Sequence, residues 1–282
     1  MPELPEVETV RRGLDAHVVG RTITGVKQLH PRALSTKSIS NLDVITGATV
    51  VSTGRRGKFL WLNLDQQVVL TAHLGMSGQF LIDAPDDRHT RALFLLEAKG
   101  VLTELHFNDQ RTFGWLSIEE LIGGVPTSVR FIARDPFDEL FAPKEVIADI
   151  RRRQVSIKTA ILNQHIVSGI GNIYADESLW LAKIHPEHRA NMLTKVQIDR
   201  VLQSAKEVMA QALKVGGTSF DELYINVNGE SGYFDIALNA YGKEGEPCPR
   251  CGERIMRIKF TNRSSHFCPR CQSPGRQQGR RP

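Results

Sequence analysis

The chain has 282 residues, 41% of them hydrophobic and 24% charged, with a formal net charge of +5. That length suits two or three compact units rather than one small core, and the balance excludes fibrous and wholly disordered classes. No stretch approaches the roughly 20 apolar residues of a membrane span, and the N-terminus lacks a positive-then-apolar signal pattern, so a cytoplasmic location with no membrane partner is expected.

The first predicted element is a helix. Glu3, Glu6 and Glu8 crowd its opening turns, Pro5 comes early, Val7, Val10 and Leu14 recur at helical spacing, and Gly13 and Gly20 mark its decline. If Met1 is removed, as a small second residue permits, Pro2 presents a secondary amine. An α-amino group has a pKa of about 7.7–8.0 against about 10.4 for lysine, so a substantial fraction is neutral at neutral pH. Such an amine can attack a sugar C1′ and form an imine, with Glu3 and Glu6 beside it for proton transfer. On the residues alone, Pro2 ahead of acidic side chains is also simply a good helix start.

From about residue 21 to 131, β-rich runs alternate with turn signals: Thr22 to Leu29, Ala48 to Thr53, Lys58 to Leu64, Gln67 to His73, Gly78 to Ile82, Ala92 to Glu97, Val101 to Phe107 and Gly114 to Ile118. Many short strands predict a sandwich or barrel. Pro136 and Pro143 mark a linker, and from Pro143 to Lys214 the periodicity turns helical. There Lys158 to Leu162 and Ile173 to Ala182 read as helices. Between them, Val167-Ser-Gly-Ile-Gly-Asn172 allows a tight turn at a helix N-terminus, able to hold a phosphate or to serve as an ordinary loop. The segment Gly216 to Gly242, rich in Gly, Asn and Asp, is long for a plain connection and reads as a functional or a disordered loop.

The charge is uneven. Residues 243 to 282 hold ten Lys or Arg against three Glu, a local +7, which leaves −2 for the rest and suggests a contact surface for a polyanion. All four cysteines lie in this basic segment, as Cys248-Pro-Arg-Cys251 and Cys268-Pro-Arg-Cys271 with sixteen residues between the pairs. Two C-x2-C knuckles can close a tetrahedral four-thiolate site around one structural zinc ion. Two disulfides are the competing reading, disfavoured by a reducing compartment.

Three separated motifs then occur in order: Met1-Pro-Glu-Leu-Pro-Glu-Val-Glu8, Gly169-Ile-Gly-Asn-Ile-Tyr-Ala-Asp-Glu-Ser178 and the four-cysteine finger, with Lys58, His73-Leu-Gly-Met-Ser-Gly78 and Tyr233-Phe234 between them. Together they closely resemble the formamidopyrimidine-DNA glycosylases over essentially the whole chain. The resemblance implies an α+β multidomain fold: an N-terminal helix with a two-layered β-sandwich (1–131), a linker (132–147), and a helix-two-turns-helix α domain with a lesion-capping loop near 216–240 (148–240). A four-cysteine zinc-finger β-hairpin (241–272) and a disordered tail (273–282) complete it.

It implies a bifunctional enzyme, a monomer in the nucleoid-associated cytoplasm, acting on double-stranded DNA that contains oxidised purines, notably 8-oxoguanine or a formamidopyrimidine. Pro2 would displace the base and form a Schiff base, Glu3 would activate the sugar, Glu6 would support the site, and β- then δ-elimination would cut the strand. Lys58 would donate a proton near the lesion phosphate. Met76, Arg111 and Phe113 would fill the space left by the extruded base. Asn172, Lys158 and Arg263 would grip phosphates, with further DNA contacts at His89 and Arg153.

Two departures stand out. Arg111-Thr-Phe-Gly114 has Thr112 where the family commonly has a second arginine, and Asn262-Arg-Ser-Ser265 has Asn262 in place of a glycine, at a turn position where Asn tolerates positive φ. Rival readings are the endonuclease VIII branch, which acts on oxidised pyrimidines and usually has glycine where Leu4 stands here, and a non-catalytic zinc-finger DNA binder.

Overall fold

The computed structural model describes residues 2–216 and 238–274. These fall into two units, one of residues 2–131 and 213–216 and one of residues 132–212 and 238–274.

The first unit begins with helix α1 (Leu4–Val18), started by Glu3 and carrying Pro5 in its first turn, where a missing N–H costs nothing. Its Leu4, Val7, Val10, Leu14 and Val18 are buried, one apolar stripe at helical spacing. The helix runs through Gly13, because that stripe outweighs the roughly 0.5–1 kcal/mol cost of an interior glycine.

Nine strands follow in two antiparallel sheets. One has the order β1 (Thr22–Gln28), β6 (Thr90–Ala98), β7 (Val101–Asp109), β5 (Gly78–Ile82). The other has β2 (Val50–Arg56), β3 (Phe59–Leu64), β4 (Val68–His73), β8 (Trp115–Ile122) and β9 (Val125–Pro126). Alternate residues point inward: Ala92, Phe94 and Leu96 of β6 and Leu105 and Phe107 of β7 meet Leu60, Leu62, Leu70 and Ile118 of the facing sheet and the α1 stripe in one core. This is the predicted two-layered sandwich. All eight runs seen in the sequence are strands, and β9, two residues long, is the one without an alternation to announce it.

The second unit contains α2 (Pro143–Arg151), α3 (Ile157–Leu162), α4 (Asn172–Ala182) and all but the last two residues of α5 (Lys195–Lys214), then a hairpin of β10 (Met256–Phe260) and β11 (Arg263–Phe267) flanked by the cysteine pairs. Helix α4 is buried nearly all round, from Ile173 to Trp180. Its charged residues Asp176 and Glu177 are therefore interior groups and need partners. No helix among the described residues is long and apolar enough to cross a membrane. Most of the expected capping loop, with Tyr233 and Phe234, lies outside the described residues, as does the tail beyond 274.

Candidate active site and metal centre

Pro2 is buried immediately ahead of α1, and Glu3, Glu6 and Lys58 are 2%, 6% and 7% exposed. The backbone N–H of Glu3 donates to Glu6 Oε2 at 2.9 Å, so the Glu6 carboxylate satisfies one of the helix's orphan donors and fixes where the chain enters. Lys58 stands in the two-residue turn between β2 and β3, where Gly57 supplies the left-handed φ of +57°.

Glu8 connects these two places. It accepts from Arg11 and Arg12 on its own helix and from Arg55 Nε on β2 at 3.0 Å, and Arg55 Nη1 donates to Gly57 O at 3.3 Å. Burial pushes the Glu8 carboxyl up, but the guanidiniums outweigh it and hold it down at about 2. The start of α1 and the Lys58 turn are thus linked through one permanently ionised carboxylate.

Next to this, His73 at the end of β4 lies between Phe59 and Trp115, with ring centroids 4.9 and 5.7 Å away, and its Nδ1 accepts the Gly75 N–H at 3.1 Å. Burial, with the Lys58 ammonium adding to it, pushes the ring down to about 4 from 6.5, so it is neutral at neutral pH. The unfolded chain therefore binds this proton more readily, and the stability it contributes, full above pH 6.5, declines as pH falls from 6.5 towards 4. His73→Gln, which keeps an acceptor for Gly75, should give a flatter Tm-against-pH curve in that window. An unchanged acid slope would contradict the assignment.

The three residues expected to fill a vacated base position sit on two adjoining loops. Met76 and Phe113 are 36% and 58% exposed, unlike the core residues around them. The loops press together at Gly75, where a Cβ would come within 2.4 Å of Phe113 C and Gly114 N, and Arg111 Nη1 reaches Met76 Sδ at 3.6 Å. Asp109, fully buried, organises them: it accepts from Ser77 Oγ (2.6 Å), Arg111 N (3.2 Å) and Gly114 N (2.6 Å). Thr112 takes φ +55° in this turn, a conformation unfavourable for a β-branched residue and held by those bonds. His89, half-buried, is joined to the same place by the Asp109 N–H to its carbonyl at 2.9 Å.

In the second unit, Gln164 shapes the glycine-rich turn: its Nε2 donates to Ile170 O and its Oε1 accepts from Gly169 N, both at 2.9 Å, with Gly169 at φ +89°. The turn places Asn172 as the first residue of α4. Its buried Oδ1 has no hydrogen-bond partner among the described residues.

Arg263 is exposed beside the tip of the β10–β11 hairpin, in which Thr261, not Asn262, takes the positive φ of +53°. Arg153 is exposed and paired with Asp149 one turn back at 3.0 Å. Lys158 corrects the expectation of a surface phosphate contact: its side chain is wholly buried, and its ammonium donates to Asp176 Oδ1 (2.6 Å) and Ser264 O (3.0 Å). Asp176 also accepts from Ser265 Oγ and His266 N, both at 2.8 Å. This buried node fastens β11, and with it Arg263, to α3 and α4. Glu177 does the same for the chain entering the finger, accepting the N–H groups of Asn239, Ala240 and Tyr241.

The four cysteine sulfurs lie within 4.8 Å of one another and no disulfide joins them. Four thiolates at Zn–S of about 2.3 Å stand about 3.8 Å apart in a tetrahedron, so the set fits one structural zinc ion. Without a cation it would be unfavourable: burial and the neighbouring sulfurs push the Cys268 thiol up to about 12.

Comparison with known proteins matches three family descriptions in order: formamidopyrimidine-DNA glycosylase N-terminal domain over residues 1–116, its H2TH domain over 132–223, and the zinc finger found in FPG and IleRS over 245–274. The formamidopyrimidine-DNA glycosylase of Rhodococcus erythropolis is 53% identical, over 96% of this chain and 97% of that protein. The chain belongs to the formamidopyrimidine-DNA glycosylase family.

The formamidopyrimidine-DNA glycosylase of a Nocardioides species is 50% identical, over 99% of this chain and 96% of that protein. Among solved structures, MutM (Fpg) of Thermus thermophilus aligns with a TM-score of 0.85 at 35% identity, covering 97% of this chain and all of that one. The Lactococcus lactis Fpg in complex with abasic-site DNA aligns at 0.84 and 35%, covering 96% and 99%. Within this family frame, sequence reasoning missed Glu8, Asp109 and Asp176 as organisers. Two of them had a local signal: Asp109 is an Asp two residues before a backbone N–H that it can accept, and Glu8 stands three and four residues before Arg11 and Arg12 on one helix.

Proposed function

We propose that this chain excises oxidised purines, 8-oxoguanine and formamidopyrimidines, from double-stranded DNA and then cuts the strand, with Pro2 as nucleophile. The observation that carries this is the burial of Pro2 with Glu3 and Glu6 at the start of α1, linked through Glu8 and Arg55 to the turn bearing Lys58.

Once Met1 is removed, the Pro2 nitrogen lone pair attacks C1′ of the damaged nucleotide, and the C1′–base bond breaks with its electron pair leaving on the base. The nitrogen gives up its own proton, which the departing base takes, and Glu3 supplies the proton that opens the sugar ring, so O4′ becomes a hydroxyl and the Pro2–C1′ bond becomes an iminium. Loss of a C2′ proton then expels the 3′ phosphate, a second elimination expels the 5′ phosphate, and Lys58 donates a proton beside the lesion phosphate.

Base extrusion costs a few kcal/mol. A stacked aromatic is worth about 1–3 kcal/mol, so Phe113 wedged between bases, with Arg111 bonding the orphaned cytosine and Met76 filling the gap, is of the size needed. Asn172, Arg263, His89 and Arg153 hold backbone phosphates without reading sequence, and Lys158 serves them by holding β11. The zinc ion, bound by Cys248, Cys251, Cys268 and Cys271, supplies structure only. The protein acts as a monomer in the nucleoid-associated cytoplasm, with the parts divided as 1–131, 132–147, 148–240, 241–272 and 273–282.

Cutting of duplexes bearing 8-oxoguanine should be faster than of duplexes bearing thymine glycol. The reverse order would move the chain to the pyrimidine branch, and binding of both without cutting would leave only a DNA binder.

A further inference from the structure

The sulfur cluster has a neighbour that is not part of the finger. Trp180, on the third turn of α4, is 8% exposed, and its indole Nε1–H donates to Cys248 Sγ at 3.4 Å. An indole nitrogen is a donor only and seeks an acceptor when buried; here that acceptor is a metal-ligating sulfur.

The ring is held in place by the same knuckle. The Arg250 guanidinium, between the two cysteines of the first pair, lies 4.0 Å from the ring centroid, and its Nη1 donates to Trp180 O at 2.9 Å. Trp180, Ala240, Cys248, Ile255 and Cys268 form a small core of their own. One helix side chain is thus bonded to a ligand sulfur, stacked under a charge from that knuckle, and packed among the residues around the site.

We infer that Trp180 is a working part of the zinc centre: its indole hydrogen bond to Cys248 Sγ steadies that thiolate for the metal and ties α4 to the first knuckle. The inference rests on the four-cysteine set holding zinc and is independent of the DNA chemistry. A thiolate in such a set keeps residual negative charge, and a fixed N–H directed at it lowers the energy of its lone pair and restricts its orientation. Arg250 holds the ring at the angle that keeps the donor on the sulfur. Because Asn172 begins α4, the same contact ties the phosphate-binding turn to the metal.

Trp180→Phe separates the bond from the packing, since phenylalanine retains a ring for Arg250 and loses the N–H. Zinc release from the full-length holoprotein to a chromogenic chelator should be about tenfold faster in the variant, the lower end of what lost outer-shell partners cost. In cobalt(II)-substituted protein, the thiolate-to-cobalt charge-transfer band should move to longer wavelength, while the visible bands of tetrahedral cobalt keep their intensity.

One measurement needs no variant. In wild-type protein loaded with ¹¹³Cd, one of the three tryptophan indole N–H signals should be split by coupling to the metal through the hydrogen bond. An unchanged release rate with an unchanged band, or three unsplit indole signals, would overturn the inference. A wild-type protein that takes up none of these metals would overturn the zinc reading as well.

Discussion

Protein that keeps an N-terminal extension should neither excise 8-oxoguanine nor cut the strand, yet should bind lesion-bearing duplex with a Kd within about threefold of the processed form. An extension turns the Pro2 nitrogen into an amide whose lone pair is delocalised, and an amide cannot attack C1′. Pro2→Gly should also be strongly impaired, because a primary amine on an unconstrained residue replaces the fixed ring nitrogen. Glu3→Gln keeps size and packing but removes the proton, and should cost about 10²–10⁴ in the rate of excision. The loss should fall on kcat, since none of these groups is asked to hold the duplex. Equal loss of binding and turnover would count against Pro2 as nucleophile.

Removal of zinc should have the second large effect, on binding rather than chemistry. The β10–β11 hairpin has only five residues per strand, and an isolated two-stranded hairpin is marginal in water. Metal binding in such a finger contributes about 10–16 kcal/mol, which is free energy of folding. Chelation or Cys248→Ala should therefore unfold the finger, release Arg263 from its position, and lower the salt dependence of DNA binding. Each lost phosphate contact should reduce the slope of log K against log salt by about 0.9. The first unit, with its own core, should retain its circular dichroism and the His73 pH signature. Undiminished DNA affinity in metal-free protein would contradict this.

The parts legible in the sequence were those whose signal is local. Alternation disclosed the strands because side chains of a sandwich strand point in turn to core and solvent, and two C-x2-C spacings disclosed the metal centre because each knuckle is four residues long. Pro2, Glu3 and Lys58 gained their meaning from motifs held in common with a family, since a proline before glutamates is otherwise only a helix start.

Long-range pairing could not be read. The sequence around Lys158 suggests a phosphate ligand, because nothing near it shows that Asp176, 18 residues on, and Ser264, 106 residues on, bury and bind its ammonium. Asp109 reaches back 32 residues to Ser77, and Trp180 reaches 68 residues to Cys248. Asn262 looked like the residue at positive φ, but a two-residue turn can place that strain at its first position, and Thr261 holds it. For Lys158, Asp109 and Trp180 a tertiary contact decided the outcome; for Thr261 it was the geometry of the turn.

The proposed reaction turns on the covalent bond between Pro2 and the sugar. Borohydride reduction during reaction with an 8-oxoguanine duplex, followed by proteolysis and mass spectrometry, tests it directly. One trapped adduct is expected on the peptide beginning at Pro2, with the nucleotide remnant on its α-nitrogen. An adduct on Lys58 or another lysine, or no adduct while the strand is being cut, would contradict it.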